Sequence, residues 1–152
     1  MNRVMDWAIG GVILAVGSLI SGNAIAQFPL SGLGAGFKKQ IFWHDNLDSG
    51  WRESQRTGRP MVIYITAAQC RYCDAMEQIT WHDRAIETRV SEQFVAVQLS
   101  AERNARELNR IHVAMYPMTI VAVPQGKVVD HCKGFQPPEL IIELLNRAAS
   151  RH

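Results

Sequence analysis

The sequence predicts one α/β domain, and three observations carry that prediction. Met61–Thr66 and Phe94–Leu99 are short apolar runs of strand length, and each is followed by residues with helical spacing. A third run, Met118–Val123, is joined through Pro124-Gln125-Gly126 to Lys127–Cys132, which reads as a β-hairpin. A last helical segment closes the chain. Strands alternating with helices, then a hairpin and a helix, describe one α/β domain, and no internal repeat is present.

The elements follow in order. Residues 27–40 are glycine-rich, with Ser31-Gly32-Leu33-Gly34-Ala35-Gly36, and show neither hydrophobic period, so they read as a flexible lead-in. The domain is expected over residues 41–150. Its apolar patch Ile41-Phe42-Trp43 precedes Asp48, the expected cap of a helix that ends before Gly58. Pro60 precedes the strand 61–66, which is apolar on both faces and so belongs in the middle of a sheet. A helix is expected over 70–80, with Cys73, Met76 and Ile79 or Thr80 on one face. Asp83 is expected to cap a helix through about Ser91, and Ser100 one carrying Ala101, Ala105, Leu108 and Ile111. The last helix starts at Pro138, where a missing N–H is harmless, and should turn Leu140, Ile141, Leu144, Leu145 and Ala148 inward.

The N-terminus addresses the location of the protein. Arg3 and Asp6 precede an apolar stretch, Trp7–Ile20, and the chain then turns small and polar up to Ala24-Ile25-Ala26. That order is a signal peptide over residues 1–26 with an A-x-A cleavage pattern, leaving Gln27 as the mature terminus. The stretch is short for a membrane span, which needs about 20 apolar residues. Export to the periplasm without stable membrane insertion is therefore expected, the alternative being an uncleaved anchor facing the same compartment.

The chain has 16 bases and 14 acids, and loss of residues 1–26 removes one of each, leaving the net charge at +2. A near-neutral chain with no basic stripe is not read as a nucleic-acid binder. Arg103, Arg106 and Arg110 alternate with Glu102 and Glu107, a solvated face. Three cysteines are too few for a disulfide scaffold, and the odd number leaves one outside any pair within the chain.

Cys70-Arg71-Tyr72-Cys73 lies between the strand 61–66 and the helix that follows it. A thiolate is the nucleophile in disulfide exchange, and the first turn of a helix favours it through unpaired N–H groups and the positive end of the dipole. Two intervening residues bring the second sulfur within bonding reach. Cys70 is expected to attack and Cys73 to resolve, with Arg71 a modest aid to the thiolate. The competing readings of the pair are an inert disulfide and part of a metal site. A structural zinc site needs four ligands and no second C-x-x-C exists, although His131 and Cys132 leave open a copper-binding alternative. Cys132 is otherwise a small hydrophobe on a strand, and His82 and His112 are surface or helix-end residues.

From about residue 41 to 149 the chain resembles the thioredoxin superfamily. The resemblance rests on Gly58-Arg59-Pro60, the two cysteines, Trp81-His82-Asp83, Tyr116-Pro117 and Gly134. More narrowly, Cys70-x-Tyr72-Cys73-x-x-Met76 is similar to exported thioredoxin-related proteins that include the C-terminal domain of the periplasmic disulfide reductase. The resemblance implies a thioredoxin-like fold, a central mixed β-sheet flanked by helices, with the dithiol at the tip of the first long helix. It implies a cis Pro117 facing the dithiol, and a substrate-binding edge made by Tyr116, Pro117, Arg71 and Tyr72. It also implies a thiol:disulfide oxidoreductase whose partners are protein disulfides or dithiols and an envelope electron donor. No metal and no cofactor are expected. Non-catalytic binding in an envelope assembly is the remaining alternative. Two positions depart from the family: Tyr64 stands where many members carry a buried acid, and Gln69 where a tryptophan usually precedes the dithiol.

Overall fold

The apolar run Met61–Thr66 lies in the middle of a five-stranded sheet in the computed structural model, which describes residues 40–150. In chain order the elements are β1 (Trp43–His44), α1 (Leu47–Thr57), β2 (Met61–Thr66), α2 (Arg71–Ala75) and a π-helical segment (Met76–Trp81). They continue with α3 (Arg84–Gln93), β3 (Val95–Ser100), α4 (Ala105–Leu108), β4 (Met118–Ala122), β5 (Val128–Lys133) and α5 (Pro138–Ala149). The sheet order is β1-β3-β2-β4-β5. β3 runs parallel to β1 and β2, whereas β4 is antiparallel to β2 and β5. This is a mixed sheet with helices on both faces. The expected signal peptide and nearly all of the expected lead-in lie outside the described residues. Among the described residues no helix is long and apolar enough to cross a membrane.

β2 occupies the centre because both of its faces are apolar and both are covered. Val62 and Tyr64 pack against Met76, Trp81, Ile86, Val90, Ile141, Leu144 and Leu145 on one side. Met61, Ile63 and Ile65 pack against Val97, Leu99, Leu108, Met118 and Ile120 on the other. Burying one such aliphatic side chain is worth about 1.5–3 kcal/mol. The two layers therefore hold β2 from both sides, and the chain leaves its end at a defined point.

Several local expectations change. Asn46, not Asp48, caps α1: its extended backbone precedes the first turn and its Oδ1 accepts the Ser49 N–H at 2.8 Å. Asp48 sits inside that first turn, where a negative charge suits the dipole. Gly58 ends the helix in the left-handed region at φ 72°, a conformation glycine adopts without Cβ strain. Ser100 does not start a helix but ends β3, and α4 is a single turn that begins after Asn104. The Asn104 side chain accepts the Ser100 N–H at 2.9 Å, which closes a turn where a helix was expected. Asp83 does cap α3, accepting from Ala85 and Ile86, although the helix runs on to Gln93. In α5 Leu140 is 45% exposed, because its position in the first turn lies off the stripe formed by Ile141, Leu144, Leu145 and Ala148.

The cap assignment is testable. Asn46→Ala should cost about 1 kcal/mol by losing the Ser49 acceptor, and Asp48→Ala clearly less. Thermal or urea unfolding of the two variants measures the difference, and the reverse order would restore Asp48 as the cap.

Candidate active site

β2 ends at Thr66, and residues 67–69 carry the chain to Cys70. Cys70 is the N-cap of α2, with extended backbone at φ −105° and ψ 93°. Its carbonyl accepts the N–H groups of Cys73 at 2.9 Å and Asp74 at 3.0 Å. Its Sγ accepts the Cys73 N–H at 3.2 Å, taking the place that a serine or aspartate oxygen fills in an ordinary cap. One of the N–H groups that start the helix, that of Cys73, thus lies on the sulfur that would carry a negative charge. The pair is closed as a disulfide, with 5.2 Å between the Cα atoms. The two cysteines are unequal: Cys70 is half-buried, whereas Cys73 is 1% exposed.

The helix expected over 70–80 is α-helical only through Ala75 and then widens into the π-helical segment. Thr80 is buried there, with Oγ1 donating to the Gln136 carbonyl at 2.6 Å, while Ile79 faces solvent. That choice resolves the ambiguity between Ile79 and Thr80. Trp81 makes edge-to-face contacts with the rings of Trp43 and Tyr64, at 5.2 and 5.4 Å between centroids. One extra residue in the turn places Thr80 on Gln136 and Trp81 among those rings.

Arg71 is turned onto its neighbour Tyr72. Its guanidinium lies 4.7 Å from the centre of the Tyr72 ring, and Nη2 donates to Tyr72 Oη at 2.9 Å. Both side chains are exposed, so the two expected contact residues form one planar cationic and aromatic unit beside the dithiol. The Tyr116–Pro117 peptide is cis, as the family resemblance implied. The register pairs Ile65 with Met118, which sets Pro117 at the end of the sheet where β2 leads to Cys70. Pro117 is buried, its carbonyl accepts the Gly134 N–H at 2.7 Å, and Tyr116 packs on the Leu108 side of the sheet.

Tyr64, at the position of the family's buried acid, is fully buried and its Oη donates to the Cys73 carbonyl at 3.2 Å. Burial pushes its phenol far above the ordinary value, and the neighbouring Glu77 and Asp74 add to the rise. Tyr64 and Glu77 line a cleft of about 220 Å3 with Trp43, Trp81 and Gln98, and Glu77 accepts from Gln98 Nε2 at 3.2 Å. Glu77 was not singled out by sequence, yet it lies one turn beyond Cys73. Its place four residues after the second cysteine is the signal that was there to be read.

The residues of the metal alternative are placed differently. Cys132 lies on β5 opposite Thr119, and burial pushes its thiol up. His131 is exposed on the other face of that strand. Among the described residues, no group of three or more His, Cys, Asp or Glu side chains is arranged to hold a metal ion.

Comparison with known proteins accords with this geometry. The fold matches a thioredoxin from Thermus thermophilus with a TM-score of 0.67 and 20% identity, over 74% of this chain and 89% of the other. A DsbH oxidoreductase matches with a TM-score of 0.64 and 13% identity, over 87% and 96% of the two chains. The oxidised C-terminal domain of DsbD from Neisseria meningitidis matches with a TM-score of 0.57 and 16% identity, over 70% and 99%. In sequence, anterior gradient protein 3 of Xenopus tropicalis is 22% identical over 125 residues, covering 76% of each chain. Residues 42–124, from the strand before α1 to the turn after β4, match the family described as thioredoxin-like, and the chain belongs to it.

Proposed function

We propose that this protein is an exported thiol:disulfide oxidoreductase that exchanges disulfides with protein substrates on the reducing or isomerising side. One observation carries the reading: the half-buried Cys70 sulfur sits on the first-turn N–H of a helix while its partner Cys73 is buried. In the reduced protein the Cys70 thiolate attacks one sulfur of a substrate disulfide, and the other substrate sulfur leaves as a thiolate. Cys73, which substrate does not reach, then loses its proton and attacks Cys70. The Cys70–Cys73 bond forms, the second substrate sulfur is released, and two electrons have passed to the substrate. An envelope electron donor would return the pair to the dithiol. Tyr116, Pro117, Arg71 and Tyr72 would border the docking strand of the substrate.

Substitution of the two cysteines separates their roles. Cys70→Ser should abolish reduction of a model protein disulfide, and Cys73→Ser should accumulate mixed disulfides because nothing displaces the substrate. Thiol trapping followed by mass spectrometry reads both outcomes. Faster alkylation of Cys73 or Cys132 than of Cys70 would reverse the assignment.

The direction rests on how far the Cys70 thiolate is stabilised. A strong oxidant needs its nucleophilic thiol driven toward a pKa of about 3.5. Here the stabilising group is the first turn of α2, while the Arg71 guanidinium is turned onto Tyr72. Equilibration with glutathione should therefore give a potential nearer about −270 mV than about −120 mV, and a value at the upper end would make the protein an oxidase.

Export rests on Ala24-Ile25-Ala26 after the apolar stretch. Protein recovered from the bacterial envelope should begin at Gln27 by mass spectrometry. Membrane-bound protein retaining Met1 would favour the anchor instead.

A further inference from the structure

Gln69, immediately before the nucleophile, has φ 54°, and among the described residues every other positive φ belongs to a glycine. A glutamine gains nothing from this left-handed conformation, which is uncommon for residues with a Cβ and persists where the surroundings impose it. A contact to this loop comes from the chain that follows the neighbouring strand. β2 and β3 end side by side, with Thr66 paired to Ser100, and the Ala101 N–H donates to the Thr66 carbonyl at 2.9 Å. One residue further, the Glu102 carboxylate reaches across to the loop before the dithiol. Its Oε1 accepts the Ala68 N–H at 2.8 Å, and its Oε2 accepts from Ser100 Oγ at 2.6 Å. Ser100 is itself 8% exposed and held by Asn104. Both oxygens of the carboxylate are thus fixed, one on a rigid strand end and one on the backbone of the loop. The Ser100 hydroxyl first, and the Ala68 N–H second, hold this carboxyl below its ordinary value.

We infer that Glu102 is a positioning residue for Cys70. By fastening the Ala68 N–H it keeps Gln69 left-handed, and so keeps Cys70 in the extended N-cap conformation with its sulfur on the Cys73 N–H. The inference rests on the dithiol chemistry proposed above. It assigns a role at Cys70 to a side chain that acts through the Ala68 N–H, 34 residues before it in sequence. The charge of Glu102 acts in the opposite sense, because a carboxylate near a thiolate raises the thiol pKa. Position and charge therefore predict effects of different sign, and the two can be separated.

The experiment is a titration of Cys70 in the reduced full chain by alkylation rate against pH, with mass spectrometry to locate the label. Glu102→Ala loses both the charge and the acceptor, whereas Glu102→Gln loses the charge and keeps an oxygen for the Ala68 N–H. If Glu102 positions the loop, Glu102→Ala raises the Cys70 pKa and slows its alkylation at pH 7 by about three- to tenfold, while Glu102→Gln stays within about twofold of the parent. An unchanged or lowered pKa in Glu102→Ala overturns the inference, since loss of charge alone lowers it. If Glu102→Ala does not fold by near-ultraviolet circular dichroism, Ser100→Ala loosens the same carboxylate and should shift the pKa in the same direction by less. No shift there is also fatal. These rates are read whether or not the protein reduces a substrate disulfide. A parent protein inactive toward disulfides would reject the proposed function and leave the positioning result standing.

Discussion

The hydrogen bond from the Cys73 N–H to the Cys70 sulfur joins the fold to its chemistry. A helix must leave its first N–H groups without backbone partners, and side chains at the N-cap ordinarily satisfy one of them. Here a sulfur fills that place, so helix initiation and thiolate stabilisation draw on the same group. The arrangement depends on Cys70 being extended while Arg71 is helical, and that in turn depends on how β2 delivers the chain. β2 is covered on both faces and paired on both edges, so its end has little freedom to shift. The central strand, the short loop and the cap form one continuous constraint ending at a reactive atom.

Much of this was legible in the sequence because the strongest signals are local. Met61–Ile65 is apolar without interruption and Met118–Val123 is broken only by Thr119, as suits strands buried on both sides. The α5 stripe and the Asp83 cap were equally plain, since both rest on spacing within one helix. The failures have a common cause. At Asn46 against Asp48 two candidate caps lie within one turn of each other, and at Ser100 the expected cap ends β3 instead, so where the preceding strand ends decides the outcome. β1 has only two residues, too few to show a period, and exists because β3 offers an edge to pair with. The π-helical turn after Ala75 answers to Gln136 and Trp43, both distant in sequence.

The same division runs through the site. Cys70, Cys73 and the Tyr116–Pro117 bond are identified by residue type and order, which a sequence displays directly. The partners that tune them are identified only by proximity. Arg71 lies between the two cysteines in sequence, next to Cys70, yet its guanidinium is turned onto Tyr72. Glu77 and Glu102 are ordinary surface-type residues in the sequence, and the fold brings one to the Tyr64 side of the resolving cysteine and the other to the loop before the nucleophile.

Replacement of the family's buried acid by Tyr64 alters how Cys73 can be served. A buried carboxylate could take the resolving proton itself, but a phenol whose pKa burial has raised stays neutral and acts as a donor. Tyr64 spends that donor on the Cys73 carbonyl, fixing the first turn from below just as the Cys70 sulfur fixes it from above. A proton leaving Cys73 would then have to pass to water or to another group, and Glu77 stands at the neighbouring cleft with Gln98. A charge at a solvated cleft costs far less than one enclosed beneath the sheet, because burial of an unpaired carboxylate carries a large desolvation penalty. The chain therefore uses the fully buried Tyr64 position for packing and a neutral hydrogen bond, and places the Glu77 carboxylate at the cleft instead.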